Sequence, residues 1–151
     1  MARIDIKKAI YGDLTSSATL LPLLGPILPR NNRIYYAWPQ MVPALSGNNV
    51  NEGWLVFYEE QSVTLWNTIQ EQVYMDFHCF CTDISIGEAV IDILDELYNW
   101  HIAGQNSRFM GDRLIVFMQR VHCLETYDET IKLYRKIGRY RFQMVKTPFT
   151  N

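Results

Sequence analysis

Polar and apolar positions from Asp83 to His101, DISIGEAVIDILDELYNWH, repeat at the three- and four-residue spacing of an α-helix. Ile86, Val90, Ile93, Leu94, Leu97 and Trp100 gather on one side, and Glu88, Asp92, Asp95, Glu96 and Asn99 on the other. Ser85 with Glu88 three residues later has the form of a capping box, and Gly104 supplies a stop. On both sides of this helix the period shortens to two. From Glu71 to Thr82 the alternation is strict: Val73, Met75, Phe77, Cys79 and Cys81 face one way, and Gln72, Tyr74, Asp76, His78 and Phe80 the other. The first set is expected beneath the helix. Trp54 to Glu60 (WLVFYEE) reads as another strand. Arg113 to Glu125 and Lys132 to Lys146 read as two long strands joined around Tyr127 to Thr130 in an antiparallel hairpin, with Gly138 as a bulge or bend.

The remaining segments fit around this frame. Arg3 to Leu14 is compatible with a helix whose apolar positions are Ile4, Ala9 or Lys8, Tyr11 and Leu14, and Ser16 to Leu24 with a further turn or two. Gly25, Pro26 and Pro29 forbid a regular element after that. Arg33 to Gln40 (RIYYAWPQ) is dense in aromatic residues and ends at a proline. It reads either as an edge strand with ordinary packing of Tyr35, Tyr36 and Trp38, or as a segment that docks on a partner. Met41 to Asn51 and Ala103 to Asp112 read as loops. The order of elements predicts the α+β class: one two-layer domain over residues 1–151, mainly antiparallel sheet, with the amphipathic helix packed on one face, an N-terminal helix and a long loop at about 41–52.

Composition adds that a core is affordable, since 48% of the 151 residues are hydrophobic and 13% aromatic. Met1 to Ile10 carries no apolar signal region, and no apolar run reaches the roughly 18 residues of a membrane span, so no membrane association and no standard secretion are expected. Cys79, Cys81 and Cys123 are odd in number, and the first two project in parallel from one strand, poor geometry for a mutual disulfide; a reducing origin is expected. Charge changes the picture more. Residues 1–33 carry 5 Lys/Arg and 2 Asp/Glu, residues 34–107 none against 10, and residues 108–151 9 against 4, which makes +3, −10 and +5. Blocks of this kind either mend one another within one chain or supply complementary faces between chains.

Candidate chemistry is thin. His78, Cys79 and Cys81, with His122 and Cys123 elsewhere, are zinc-ligand types, but residues 78 and 79 project to opposite faces and neither a Cys-x-x-Cys knuckle nor a His-x-x-x-His pair occurs, so no metal is expected. No nucleophile elbow, phosphate loop or dinucleotide fingerprint is present, so neither catalytic residues nor a cofactor are assigned. Glu88, Asp92, Asp95 and Glu96 lack a Lys or Arg at the helical spacing that relieves like-charge repulsion; they read as a solvated face, or as an acidic surface facing a channel or a partner. Lys132, Arg135, Lys136, Arg139, Arg141 and Lys146 form a basic strip in which Arg139, Arg141 and Gln143 share a face. With a sequence pI near 5.9 and no nucleic-acid motif, the strip reads as a protein interface. Two rivals are a monomeric adaptor using residues 35–38 and a small-ligand domain or enzyme with a pocket near Trp54, His78 and His122.

In this order of elements, Leu24-Gly25 followed by Arg33-Ile34-Tyr35 and Trp38-Pro39-Gln40, then WLVFYEE, the alternating strand, the acidic helix and the long hairpin, the chain resembles the tail-completion or tail-terminator (neck) proteins of long-tailed bacteriophages. It departs from them in its long 41–52 loop. The resemblance implies a virion protein without catalysis, made in the bacterial cytoplasm. It implies a ring, commonly six-fold, that caps the tail tube, contacts the tube protein and the head connector, and lets DNA pass without specific binding. The candidate interface residues are then Tyr35, Tyr36, Trp38, Arg139 and Arg141, and the candidate acidic channel-facing or interface residues Glu88, Asp92, Asp95 and Glu96.

Overall fold

The structure, a computed structural model, describes residues 2–25, 33–38, 51–64, 70–99, 108–111 and 113–146; of 2–5, 61–64 and 146 it describes the backbone alone. Nine elements follow in order: α1 (Ala2–Thr15), α2 (Leu20–Leu23), β1 (Ile34–Tyr36), β2 (Gly53–Thr64), β3 (Gln70–Cys81), α3 (Ile84–Tyr98), β4 (Arg108–Met110), β5 (Arg113–Asp128) and β6 (Leu133–Lys146). The six strands form one mixed sheet in the order β1-β2-β3-β6-β5-β4. Only β1 with β2 is parallel; the other neighbours are antiparallel. The molecule is mainly sheet with a few helices, broadly α+β. The loop expected over 41–50, and the roles given to Trp100 and Gly104, lie outside the described residues.

The alternation along β3 decides which face carries the core. Val73, Met75, Phe77, Cys79 and Cys81 are buried, as expected, together with Tyr140, Phe142 and Met144 of β6, and Ile86, Val90, Ile91, Leu94 and Tyr98 of α3 close over them. The buried line of α3 runs through Leu94 and Tyr98, whereas Ile93 and Leu97 are half-buried at its margin. The polar face of α3 is narrower than its sequence suggests. Asp95 turns inward to accept from Arg120 Nη1 at 2.7 Å and from Tyr140 Oη at 2.7 Å, and Asn99 is buried, its Oδ1 accepting from the Arg120 backbone N–H at 3.2 Å. Nor does Ser85 cap the helix: Asp83 is the N-cap, its Oδ1 accepting from Ser85 N–H at 2.9 Å. The carboxylate so bonded has its pKa held below the usual value.

Two glycines let α3 approach β6. A Cβ on Gly87 would stand 2.8 Å from Lys136 Cβ, and one on Gly138 2.9 Å from Ile91 Cδ1. Gly138 is thus neither a bulge nor a bend; it pairs regularly with Phe77 and Cys123, and the bulges fall in β5, at Val116 and Val121, between the register pairs on either side. In α1 the buried stripe is Ile6, Ile10 and Leu14, a cleaner four-residue spacing than the expected one; Tyr11 is exposed, and the Ile4 side chain is outside the described residues. A short strand, β4, interrupts the segment expected to be loop through Asp112, pairing with Arg113 to Ile115. Asp13 of α1 ties these pieces together, accepting from Tyr98 Oη at 2.9 Å and from both Nη atoms of Arg108 at 3.0 and 3.2 Å.

Candidate partner interface

The second face of the sheet, away from α3, is built from the other register positions: Trp54, Val56 and Tyr58 of β2, Asp76, His78 and Phe80 of β3, and Arg135, Arg139 and Arg141 of β6. Asp76, His78 and Phe80 lie on the side of β3 that the alternation turns away from the helix, yet they are buried, as are Trp54 and Val56. Part of their cover is Trp38. Ala37 adopts φ +62, which carries the chain out of β1 so that the Trp38 ring lies 5.7 Å from Tyr58, 5.0 Å from His78 and 5.9 Å from Phe80, centroid to centroid. Trp38 itself stays 48% exposed. Trp54 stacks on Phe80 at 4.2 Å, and its buried indole N–H has no acceptor among the described residues.

Under Trp38 the polar groups form a chain whose hydrogens can be assigned. Arg135 donates through Nε (3.0 Å) and Nη2 (2.8 Å) to Nδ1 of His78. A guanidinium only donates, so Nδ1 holds a lone pair, and the neutral imidazole carries its proton on Nε2. Nε2 lies 2.9 Å from Tyr58 Oη and donates to it. The Tyr58 hydroxyl therefore has its own hydrogen left to give. Burial and the Arg135 charge bring the His78 pKa down to about 4, which keeps the ring neutral. Burial, with Asp76 and Glu60 nearby, raises that of Tyr58. The Arg135 guanidinium lies over the Trp38 ring at 5.5 Å and the Phe80 ring at 5.3 Å, and it meets no carboxylate among the described residues.

Arg139 and Arg141 share this face, as their spacing predicts, but differ in circumstance. Arg139 forks onto the buried Asp76 at 2.7 and 3.1 Å, with Glu60 at 3.9 Å. Arg141 donates to Gln119 Oε1 at 3.0 Å and lies over Phe117 at 5.6 Å; its Nε is buried without an acceptor among the described residues. The aromatic segment is divided. Tyr35 packs edge-on to Trp54 at 6.3 Å with Trp38 on the second face, while Tyr36 points to the helical side, against Phe57 at 5.4 Å and under Lys7 Nζ at 4.6 Å. There Tyr36, Lys7, Lys8, Tyr11 and Gly12 line a shallow groove of about 410 Å³. Of the four acidic helix residues, Glu88, Asp92 and Glu96 are exposed along one line of α3, and Asp95 is engaged as described above.

The residues proposed for a small-ligand pocket do not enclose one together. Trp54 is packed on Phe80, His78 is filled in by Tyr58 and Arg135, and His122 is exposed two strands away on β5. In the sequence Arg135 stands only as one of six basic residues and Tyr58 carries no distinguishing signal; parity with Arg139 and Arg141 along β6 is the available signal for Arg135. Among the described residues no three His, Cys, Asp or Glu side chains converge to hold a metal, and no helix is long and apolar enough to cross a membrane.

The fold and this face together define an α+β sheet protein whose second face carries arginine and aromatic side chains. No family model and no curated protein matches the chain. Among solved structures the fold is shared with a chain from the virion of a native gene transfer agent particle, at a TM-score of 0.59 and 14% identity, covering 90% of this chain and 91% of that one.

Proposed function

We propose that the protein is a structural component of a phage-like virion, a subunit of the ring that caps the tail tube and joins it to the head connector while DNA passes through. The observation that carries this reading is the near full-length fold likeness to a chain of a gene transfer agent virion. The sequence resemblance to tail-completion proteins supports the neck position. Tyr35, Tyr36, Trp38, Arg139 and Arg141 then lie on or beside subunit and partner contacts. Glu88, Asp92 and Glu96 present an acidic surface to a neighbour or to the channel, where negative charge keeps DNA moving. The deciding experiment is electron microscopy of particles made with and without this chain. Tails lacking it should be uncapped or of irregular length and unjoined to heads, and added protein should restore a ring at the head-proximal end. Normal joined particles in its absence would refute the reading.

A further inference from the structure

Five of the seven arginines whose side chains are described are matched to a carboxylate of their own chain: Arg33 to Glu52, Arg108 to Asp13, Arg113 to Glu71, Arg120 to Asp95 and Arg139 to Asp76. Arg141, which donates to Gln119 and lies over Phe117, and Arg135, half-buried and held in place by His78, meet none among the described residues. Beside Arg135 the Tyr58 hydroxyl has a hydrogen to donate, and Trp38 supplies a half-exposed aromatic wall. On the opposite side of the molecule, Glu88 and Asp92 of α3 are exposed one helical turn apart, carry no ion pair among the described residues, and have no Lys or Arg at the spacing that would relieve them. Fixed donors lacking an acid on one face and acids lacking a base on the other are complementary surfaces of one chain.

We propose that the Arg135, Tyr58 and Trp38 corner is a receptor for the Glu88 and Asp92 carboxylates of a second copy, so that α3 of one subunit lies across the outer sheet face of the next. This rests on the ring reading above and names its subunit contact. The two surfaces belong to opposite faces of one sheet, so the contact is heterologous, the kind that closes a ring when its rotation divides a full turn. Arg and Trp at the centre of such a contact are the side chains that dominate interface energies. A nucleic acid is the poorer occupant: Arg139 on the same face is already engaged by Asp76 and Glu60, so the face offers no continuous run of free cations to a phosphate backbone.

The test uses the full-length chain, with assembly followed by mass photometry in the presence and absence of tails. Glu88→Lys with Asp92→Lys alters only exposed helix positions and leaves the fold intact by circular dichroism. It should raise the concentration needed for ring formation about tenfold or more. Arg135→Glu should do the same, and combining it with the two lysines in one chain should restore rings. Wild-type rings with an unaffected double-lysine variant would overturn this contact and leave the ring reading standing, as would failure of the combined swap to restore assembly. A wild type that forms no ring even on tails would overturn both. Binding of single-stranded DNA by the Arg135 face in place of assembly would also overturn the proposal.

Discussion

Gly12 and Gly87 both sit inside helices, yet replacing each by alanine should shift stability in opposite directions. Alanine is favoured over glycine within a helix by about 0.5–1 kcal/mol, mainly because glycine loses more backbone freedom on folding. At Gly12 of α1 a new Cβ meets nothing within 4 Å, so Gly12→Ala should be stabilising by that amount. At Gly87 the Cβ would stand 2.8 Å from Lys136 Cβ and 3.3 Å from Cys81 Sγ. The Lys136 atom is attached directly to the β6 backbone, so relief requires the helix to lift from the strand. Overpacking of this kind costs about 1–3 kcal/mol. Subtracting the propensity gain leaves Gly87→Ala destabilising by up to about 2.5 kcal/mol, and the two variants about 1–3 kcal/mol apart. Urea unfolding of both, with unchanged m-values, measures the difference. If Gly87→Ala stabilises the protein as much as Gly12→Ala, α3 does not lie against β6 at Lys136, and the layer arrangement is wrong.

Two further outcomes follow from the outer face. Arg139→Ala strands the buried Asp76 carboxylate and should cost about 1–3 kcal/mol, reduced from the fully buried case because Arg139 is 39% exposed, whereas Arg141→Ala loses one hydrogen bond to Gln119 and should cost about 0.5–1.5 kcal/mol; equal urea midpoints for the two would contradict the pairing. His78, with its folded pKa brought down to about 4, binds its proton more readily in the unfolded chain, so its contribution is present above the unfolded value near 6.5 and is lost as pH falls toward 4, by at most about 3 kcal/mol. His78→Gln keeps a donor and an acceptor at the site without titrating, and should flatten the fall in urea midpoint between pH 7 and 4; parallel slopes would mean that His78 is protonated in the folded protein.

What could be read in the sequence was what depends on neighbours close along the chain. The two-residue alternation of β3 and the three- and four-residue spacing of α3 assign the helix-facing side of the sheet correctly, because burial of one face imposes those periods directly. The errors arise where distant residues decide. Asp95 and Asn99 look solvated on a helical wheel, but Arg120 and Tyr140, some 20 to 45 positions away, draw them inward. Gly138 looks like a bulge because glycine weakens strands; it is there because Ile91 needs its space. The cluster on the second face was illegible for the same reason. Trp38, Tyr58, His78 and Arg135 come from four separate segments, and only the antiparallel register of β3 between β2 and β6 brings them together.

That register also changes the meaning of the segregated charge. Laying the β5–β6 hairpin beside β3 and under α3 places the basic end of the chain on its acidic middle: Arg113 reaches Glu71, Arg120 reaches Asp95 and Arg139 reaches Asp76. Part of the −10 and +5 blocks is therefore used within the monomer. Reversing Arg139 would place a carboxylate against buried Asp76, so a lost assembly there would report misfolding as readily as a lost contact. Among the charges left for another molecule are Glu88 and Asp92 on one side and Arg135 and Arg141 on the other. Exposed charges of this kind contribute little alone, so their value to an assembly lies in orientation and in rejecting wrong neighbours. A ring multiplies that effect, because every subunit repeats the contact, and a preference too weak to hold a dimer becomes decisive once closure makes the last contact intramolecular.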